Sequence, residues 1–145
     1  MLIERAVSAT PELLDALRRL IPQLTSSNHT LEVQDLEGLL KSDSSVLLIA
    51  RLPDLQGQIV GAGALAVYRV PTGSRAVIED VVVDEAARGL GVGEALMRCL
   101  MTLARQMGAG GVSLTSNPGR LAANRLYVRM GFSLRQSNCY YFEFK

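Results

Sequence analysis

The sequence has little of what metal sites, disulfide scaffolds and nucleic-acid surfaces require. Its two cysteines, Cys99 and Cys139, fit neither a metal-ligand spacing nor a disulfide framework, so we expect no metal and a reduced, cytoplasmic setting. Basic and acidic residues number 15 and 14, and this balance argues against nucleic acid as a partner. No apolar run approaches the ~20 residues that span a bilayer. Met1–Arg5 lacks the layout of a signal peptide, so no membrane partner is expected either.

The composition is that of an ordinary globular protein. Of the 145 residues, 48% are hydrophobic and 20% charged, which suits a single domain spanning residues 1–145. Hydrophobic periodicity and turn residues predict a mixed α/β fold in the order β-α-α-β-β-β-α-β-α-β-β. The predicted strands are Leu2–Val7, Ser45–Leu52, Gln58–Val70, Arg75–Val83, Val112–Thr115, Phe132–Arg135 and Tyr140–Phe144. The first predicted helix begins at Pro11, and the other three cover Leu31–Lys41, Leu90–Met107 and Arg120–Met130.

Three expectations about packing follow from these segments. Ser45–Leu52 and Gln58–Val70 flank a turn rich in turn-forming residues and should pair as a hairpin. Val81–Val83 is apolar on both faces, which predicts a central strand covered on both sides. Cys99 falls on the apolar face of the third predicted helix, so we interpret it as a core residue.

The segment Arg88–Gly93 connects the end of a strand to a long helix and contains three glycines that alternate with apolar residues. Glycine tolerates unusual dihedrals and lets a ligand approach the backbone. The first amides of a helix have no intrahelical partner, and the helix dipole favours an anion beside them. Arg88 can add one charge-assisted contact. This segment therefore predicts a phosphate-binding loop.

Other phosphate loops fit less well. A P-loop needs a lysine and then a hydroxyl residue after its last glycine, whereas Gly93 is followed by Glu94. A dinucleotide fingerprint needs a glycine or alanine at its sixth position, which here holds Glu94 or Leu96. A glycine-rich turn that only connects strand to helix is the remaining alternative, although three glycines in five residues are costly at a helix start.

Two motifs resemble those of the GNAT superfamily of N-acetyltransferases. Arg88-x-x-Gly91-x-Gly93, after a Val-Val-Val-Asp strand, resembles its motif A. Asn124–Phe132, with its Asn, Tyr and Gly-Phe, resembles its second signature. The predicted order of elements agrees along the chain. The resemblance implies the acyl-CoA N-acyltransferase fold, in which a mixed, mostly antiparallel central sheet is flanked by helices.

The resemblance also implies an activity. Such a protein moves an acetyl group from acetyl-CoA to a primary amine of a small molecule or peptide, by direct attack in a ternary complex. Similar proteins are commonly dimers, so a homodimer is compatible with it. The implied cofactor-binding residues are Val81, Val82, Val83, Arg88, Gly89, Leu90, Gly91, Val92, Gly93, Glu94, Asn117, Asn124 and Tyr127. The alternatives are a non-catalytic acyl-CoA-binding regulatory module and a structural domain without a ligand.

Candidate catalytic residues follow from what amine acetylation needs. The amine must lose a proton, and Glu79, two residues before Val81 and so expected on the same strand face, is the candidate base. An ion pair with Arg75 is the alternative for Glu79. The resemblance implies Tyr127 as the acid that protonates the leaving thiolate, and a packed aromatic residue is the alternative for Tyr127.

The acceptor side has fewer signals. Glu79, His29 and Tyr140 are the candidate substrate-binding residues, and a solvated loop position is the alternative for His29. Ile78–Asp80 before three valines is similar to the glucosamine-phosphate acetyltransferase branch, but a tripeptide does not name a substrate.

Overall fold

The central element is a four-stranded antiparallel sheet in the order β1-β2-β3-β4. The computed structural model describes residues 1–145, which divide into two compact units, 1–114 and 115–145. The strands are β1 (Leu2–Arg5), β2 (Ser45–Arg51), β3 (Ile59–Val70) and β4 (Gly73–Val83), all in the first unit. The helices are α1 (Pro11–Leu20), α2 (Val33–Lys41), α3 (Val92–Gln106) and, in the second unit, α4 (Leu121–Arg129). The predicted mixed α/β class is confirmed.

The helices begin where capping residues allow. Thr10 Oγ1 accepts a hydrogen bond from Leu13 N at 3.2 Å, and Pro11 occupies the first turn of α1. A reciprocal pair of bonds between Glu32 and Asp35 starts α2 two residues later than the predicted Leu31. The predicted β2–β3 hairpin is confirmed, with Leu48 opposite Gly63.

One face of the sheet is covered by α1 and α2. Their buried side chains join inward-facing side chains of the strands in one core, because side chains alternate along a strand. This core, called the α1–α2 core below, contains Ala6, Leu13, Ala16, Leu17, Leu20, Leu36, Leu47, Ile49, Ile59, Ala62 and Val82.

The other face of the sheet is covered by α3. Its Val92, Leu96 and Leu100 are buried above Gly61 and Gly63 of β3. A Cβ atom on Gly61 would lie 3.0 Å from Val92 Cγ1, which is too close for an unstrained contact. The two glycines therefore let α3 approach the sheet closely. Cys99, expected in the core, is only half-buried.

An ion-pair cluster joins β1, β2 and α1. The Arg51 guanidinium donates to Glu4 Oε1 at 2.8 Å, to Glu12 Oε1 at 2.6 Å and to Gly57 O at 2.9 Å. Its hydrogen bond to Glu12 raises the pKa of Arg51 and lowers the pKa of Glu12. Because folding lowers the pKa of Glu12, this carboxylate stabilises the folded protein at pH values above its pKa in the unfolded chain. That stabilisation is lost as the pH falls through the lowered pKa of the folded state.

The prediction that Val81–Val83 belongs to a central strand is wrong. β4 is an edge strand of the sheet. On the side away from β3 it makes a single parallel bridge, between Val77 and Ser113. The predicted strand Val112–Thr115 shrinks to that bridge, formed by Ile78 N to Ser113 O at 2.9 Å and Ser113 N to Ala76 O at 3.0 Å. Apolar residues on both faces reflect the helices above and below the strand rather than strands at both edges.

The second unit contains α4 and a C-terminal segment without helix or strand. The helix ends at Arg129 and Met130 is its C-cap, with Gly131 at φ 96° and with Phe132 N bonded to Tyr127 O at 3.0 Å. The predicted strands Phe132–Arg135 and Tyr140–Phe144 are wrong, since residues 132–145 form none. Strand propensity measures the fit to a half-buried pleated surface, and the large apolar side chains of this segment are exposed instead.

No helix combines the length and the apolar character needed to cross a membrane.

Candidate active site

A β-bulge interrupts β4 next to the run of three valines. Glu79 pairs with Ala64 and Val82 pairs with Ala62, so Asp80 and Val81 together lie opposite the single residue Gly63. Asp80 takes a left-handed conformation, with φ 52°, which a short polar side chain tolerates better than a branched one. The ladder of β3 and β4 is therefore broken at one point.

The bulge corrects the expectation that Glu79 and Val81 share a face. Glu79 lies opposite Ala64, which packs against the α1–α2 core. Val81 Cγ2 instead lies 3.3 Å from the position of a Cβ on Gly63, on the side of α3. One extra residue shifts the alternation of side chains, so the carboxylate and this valine are on opposite faces of the sheet.

The end of β4 presents its backbone outward. Asp84 N donates to Val60 O at 2.8 Å, and bonded pairs alternate with outward pairs in an antiparallel ladder. Val83, one residue earlier, therefore directs its N–H and C=O away from β3. Arg88 Nε donates to Val83 O at 3.3 Å. The strand end and Arg88, both candidate cofactor residues, are thus brought together.

The loop after β4 leads the chain into α3 with its first amides uncapped. A 3-10 turn at Glu85–Ala87 is capped by Asp84 Oδ1, which accepts from Ala86 N at 3.1 Å. Gly89 and Gly91 then take φ angles of 79° and 80°. The helix α3 begins at Val92 rather than at the predicted Leu90, because these left-handed glycines hold the preceding residues out of the helix.

The start of α3 can therefore bind an anion. Gly91 is the N-cap residue and no side chain accepts a capping bond from the first amides of α3. The first bond of the helix is donated by Ala95 N to Gly91 O at 3.0 Å. The amides of Val92 and Gly93 come before that bond, where the helix dipole is positive. The carboxylate of Glu94, the acidic group nearest in sequence, accepts from Arg98 Nη2 at 2.7 Å, which offsets its charge.

The second unit holds Asn117, Asn124 and Tyr127. Asn124 Nδ2 donates to Asn117 O and to Arg120 O, each at 2.9 Å, and so anchors the loop that precedes α4. With both amide hydrogens used, Oδ1 is the atom of Asn124 that can accept a bond from a ligand. Tyr127 is buried, with its ring 5.9 Å from that of Phe132.

Ser116 is a polar residue that the sequence motifs do not point to. It precedes Asn117, and its Oγ is buried without a hydrogen-bond partner. A buried hydroxyl left unsatisfied is uncommon in proteins and calls for an explanation. The only signal in the sequence was its position beside Asn117 in a polar turn.

The candidate acceptor residues are exposed. His29 lies in the loop between α1 and α2, with Nε2 3.9 Å from Asp35 Oδ2. Glu79 makes no ion pair, since Arg75 donates to Thr72 Oγ1 at 2.8 Å instead. Tyr140 lies in the C-terminal segment of the second unit, where its hydroxyl is 3.2 Å from Asn138 Nδ2.

Comparison with known proteins adds independent information. The model of the acetyltransferase (GNAT) family matches residues 13–132. A protein of Oryza sativa subsp. japonica, "Probable glucosamine 6-phosphate N-acetyltransferase 2", is 36% identical over 115 residues, which cover 77% of this chain and 66% of that protein. Glucosamine 6-phosphate N-acetyltransferase of Trypanosoma brucei brucei is 40% identical over 79 residues, 52% of each chain.

A solved structure shows the same fold. An aminoglycoside acetyltransferase from an uncultured soil metagenomic sample superposes with a TM-score of 0.81 and 20% identity, over 99% of this chain and 96% of that chain. By contrast, the chain spans between half and two thirds of the length of the two curated relatives.

Proposed function

The chain belongs to the GNAT family of acetyltransferases, and we propose that it acts, as one domain of residues 1–145, in transferring an acetyl group from acetyl-CoA to a primary amine. The transfer is direct, with both substrates bound at once. The observation that carries this proposal is the uncapped start of α3, reached through two left-handed glycines in the loop after β4. It supports binding of the coenzyme A pyrophosphate by the Arg88–Glu94 loop.

The donor thioester would lie along Val81–Val83. The outward N–H and C=O of Val83 offer a strand-like edge for the pantetheine arm. The bulge at Asp80 supports an oxyanion contact, because it turns the backbone out of the regular ladder, where an amide can face the acetyl carbonyl. In the same proposal Asn124 Oδ1 accepts a bond from the cofactor arm.

Glu79 is the proposed base. A lysine-like amine with a pKa near 10.4 must lose its proton near pH 7.4, which costs roughly 4 kcal/mol at about 1.4 kcal/mol per unit. The Glu79 carboxylate is exposed and free of ion pairs, so it can accept that proton directly or through water. Glu79 lies on the sheet face opposite Val81, which supports an amine that approaches from the side of α1 and α2. The loop that carries His29 connects these two helices.

Tyr127 is the proposed acid. The amine adds to the acetyl carbonyl to form a tetrahedral intermediate. When this intermediate collapses, the carbon–sulfur bond breaks and the leaving thiolate takes the phenolic proton of Tyr127. The buried position of Tyr127 beside Phe132 supports this role, because a fixed ring keeps the hydroxyl oriented.

Glucosamine 6-phosphate is the first amine to test. Both curated relatives carry that substrate in their names, and the Ile78–Asp80 tripeptide points the same way. Aminoglycosides form a second class for the panel. The phosphate of an amino sugar would be held by the loop that carries His29, and Tyr140 stays a prediction for the acceptor side.

The direct test combines calorimetry with CoA and an acetylation assay over a panel of amines that contains both classes. We expect binding of CoA and release of free thiol with at least one amine. Binding without thiol release on every amine would favour a non-catalytic acyl-CoA-binding module. Absence of both binding and stabilisation at millimolar CoA would exclude the donor site.

The residue test is Tyr127→Phe. We expect turnover to fall about 100-fold, the lower end of general acid catalysis, while the Kd for acetyl-CoA changes less than twofold. Tyr141→Phe, an exposed tyrosine of the same unit, is the matched control and should keep turnover. Unchanged turnover in Tyr127→Phe would show that another group protonates the thiolate.

A further inference from the structure

An arginine at the end of α1 is bonded to the residue that opens the proposed phosphate loop. Arg19 Nη1 forms an ion pair with Asp84 Oδ2, and Arg19 Nη2 donates to Ile59 O at 2.7 Å. Asp84 is the last residue before the 3-10 turn of the loop and is only 14% exposed. The guanidinium thus joins α1, the start of β3 and the end of β4 across 65 residues of chain.

A second bond, from the 3-10 turn Ile21–Gln23 that follows α1, reaches the next residue of the loop. Gln23 Oε1 accepts from Glu85 N at 2.9 Å, and Gln23 Nε2 lies 3.4 Å from Arg19 O. Asp84 also uses its other carboxylate oxygen to cap Ala86 N. Two consecutive residues at the start of the loop are therefore held by one side chain of α1 and one of the turn that follows it.

Beyond these two residues the loop is held by short-range bonds. From Ala86 the chain runs through Arg88 to Gly91 with bonds to nearby residues, such as Arg88 N to Glu85 O at 3.3 Å. The bonds to Asp84 and Glu85 therefore set the position of the chain that leads to the amides of the proposed anion site. Preorganised donors bind a ligand better than donors that must be ordered at binding.

We propose that Arg19 is a positioning residue for coenzyme A, assisted by Gln23. It acts through Asp84 on the Arg88–Gly93 loop and does not touch the cofactor. The inference rests on the proposed binding of the CoA pyrophosphate by this loop. It adds that α1, an element of the acceptor side, holds the donor loop in its binding geometry.

The neighbouring arginine provides a matched control. Arg18 donates through Nε to Leu31 O at 2.9 Å and lies 3.5 Å from Glu32, so it ties α1 to the start of α2. Arg18 and Arg19 have the same charge, the same helix and the same side-chain exposure of 39%. Arg18→Met removes one charge and one tie without acting on Asp84 or Glu85.

The test measures the Kd for CoA by calorimetry in wild type, Arg19→Met and Arg18→Met. We expect about a tenfold weaker Kd in Arg19→Met, within the range of coupling inside one bonded network. Arg18→Met should bind within twofold of wild type. Asp84→Asn, whose remaining oxygen can still cap Ala86 N, should match Arg19→Met, and the double variant should be no worse than either single variant.

A second readout separates positioning from general destabilisation. Hydrogen exchange of the CoA-free protein should speed up in the 85–93 peptide of Arg19→Met and stay unchanged in β2 and in the second half of α3. Equal acceleration in all three regions would overturn the inference, as would an unchanged Kd in Arg19→Met. If Arg19→Met does not fold, Asp84→Asn and Gln23→Ala are measured in its place, and wild-type affinity in both overturns the inference. Absence of CoA binding in wild type is a different result, because it rejects the proposed function itself.

Discussion

Two pairs of glycines lie at either side of the start of α3, and they are there for different physical reasons. Gly61 and Gly63 are on β3 beneath the helix, where added Cβ atoms would come within 3.0 Å of Val92 Cγ1 and Leu100 Cδ1 respectively. Gly89 and Gly91 are in the loop, where an added Cβ would meet nothing within 4 Å but the backbone is left-handed. One pair provides space and the other provides dihedral freedom.

The difference separates stability from binding. The β3 pair sets how closely α3 packs on the sheet, so its replacement should act on the folding free energy. The loop pair sets the direction of backbone amides, so its replacement should act mainly on a ligand. A glycine-rich region is therefore not one functional unit, and each position has to be assigned to its own cause.

The largest expected effect on stability is that of Gly61→Ala. The new methyl group would meet Val92 Cγ1 at 3.0 Å, Leu96 Cδ1 at 3.1 Å and Val82 O at 3.2 Å, and the last of these is backbone that cannot rotate away. We expect a loss of about 2 kcal/mol in the free energy of unfolding, as is typical of overpacking. Urea unfolding measures it, and a loss below the experimental error would mean that α3 shifts to accept the methyl group.

An intermediate effect is expected for Gly91→Ala, where only the dihedral is at stake. A left-handed alanine costs about 1–2 kcal/mol, part of which the exposed loop relieves by changing its conformation. Such a change redirects the first amides of α3, so we expect the affinity for CoA to fall at least tenfold. Calorimetry with CoA checks this, with Gly61→Ala as the reference. An equal fall in the two variants would break the distinction between the two pairs.

The smallest effect, and the only gain, is expected at a glycine that has neither reason. Gly38 lies inside α2 with nothing within 4 Å of an added Cβ and without a left-handed φ. Gly38→Ala should stabilise the protein by about 0.5–1 kcal/mol, because alanine is the better helix former and restricts the unfolded chain. Urea unfolding measures the gain. A loss would show that α2 needs flexibility at this point.

Local patterns predicted the local parts of the fold. The caps of α1, the β2–β3 hairpin and the glycine loop each follow from residues that are neighbours in sequence, because turns, caps and periodicity are short-range signals. The entry into α3 was misplaced by two residues, because periodicity counted Leu90 as helical while Gly89 and Gly91 keep it outside.

Long-range features were not predictable in the same way. The bulge at Asp80 depends on how β4 registers against β3, and an acidic residue before three valines does not reveal it. The Arg19–Asp84 pair joins positions 65 residues apart, and nothing in the sequence of Arg18 and Arg19 tells which of the two reaches β4. The strands predicted after Phe132 failed because strand propensity does not supply a partner strand.

The bulge also bears on how the protein is compared with its relatives. Side chains alternate along a strand with a period of two, so one residue more or less near Asp80 exchanges the valines that face α3 and those that face the α1–α2 core. Two homologues can therefore share every letter of the Val81–Val83 run and still line the two faces with opposite members of it. An insertion or deletion of a single codon would remodel this strand without one substitution, and a misplaced gap in an alignment would hide the change.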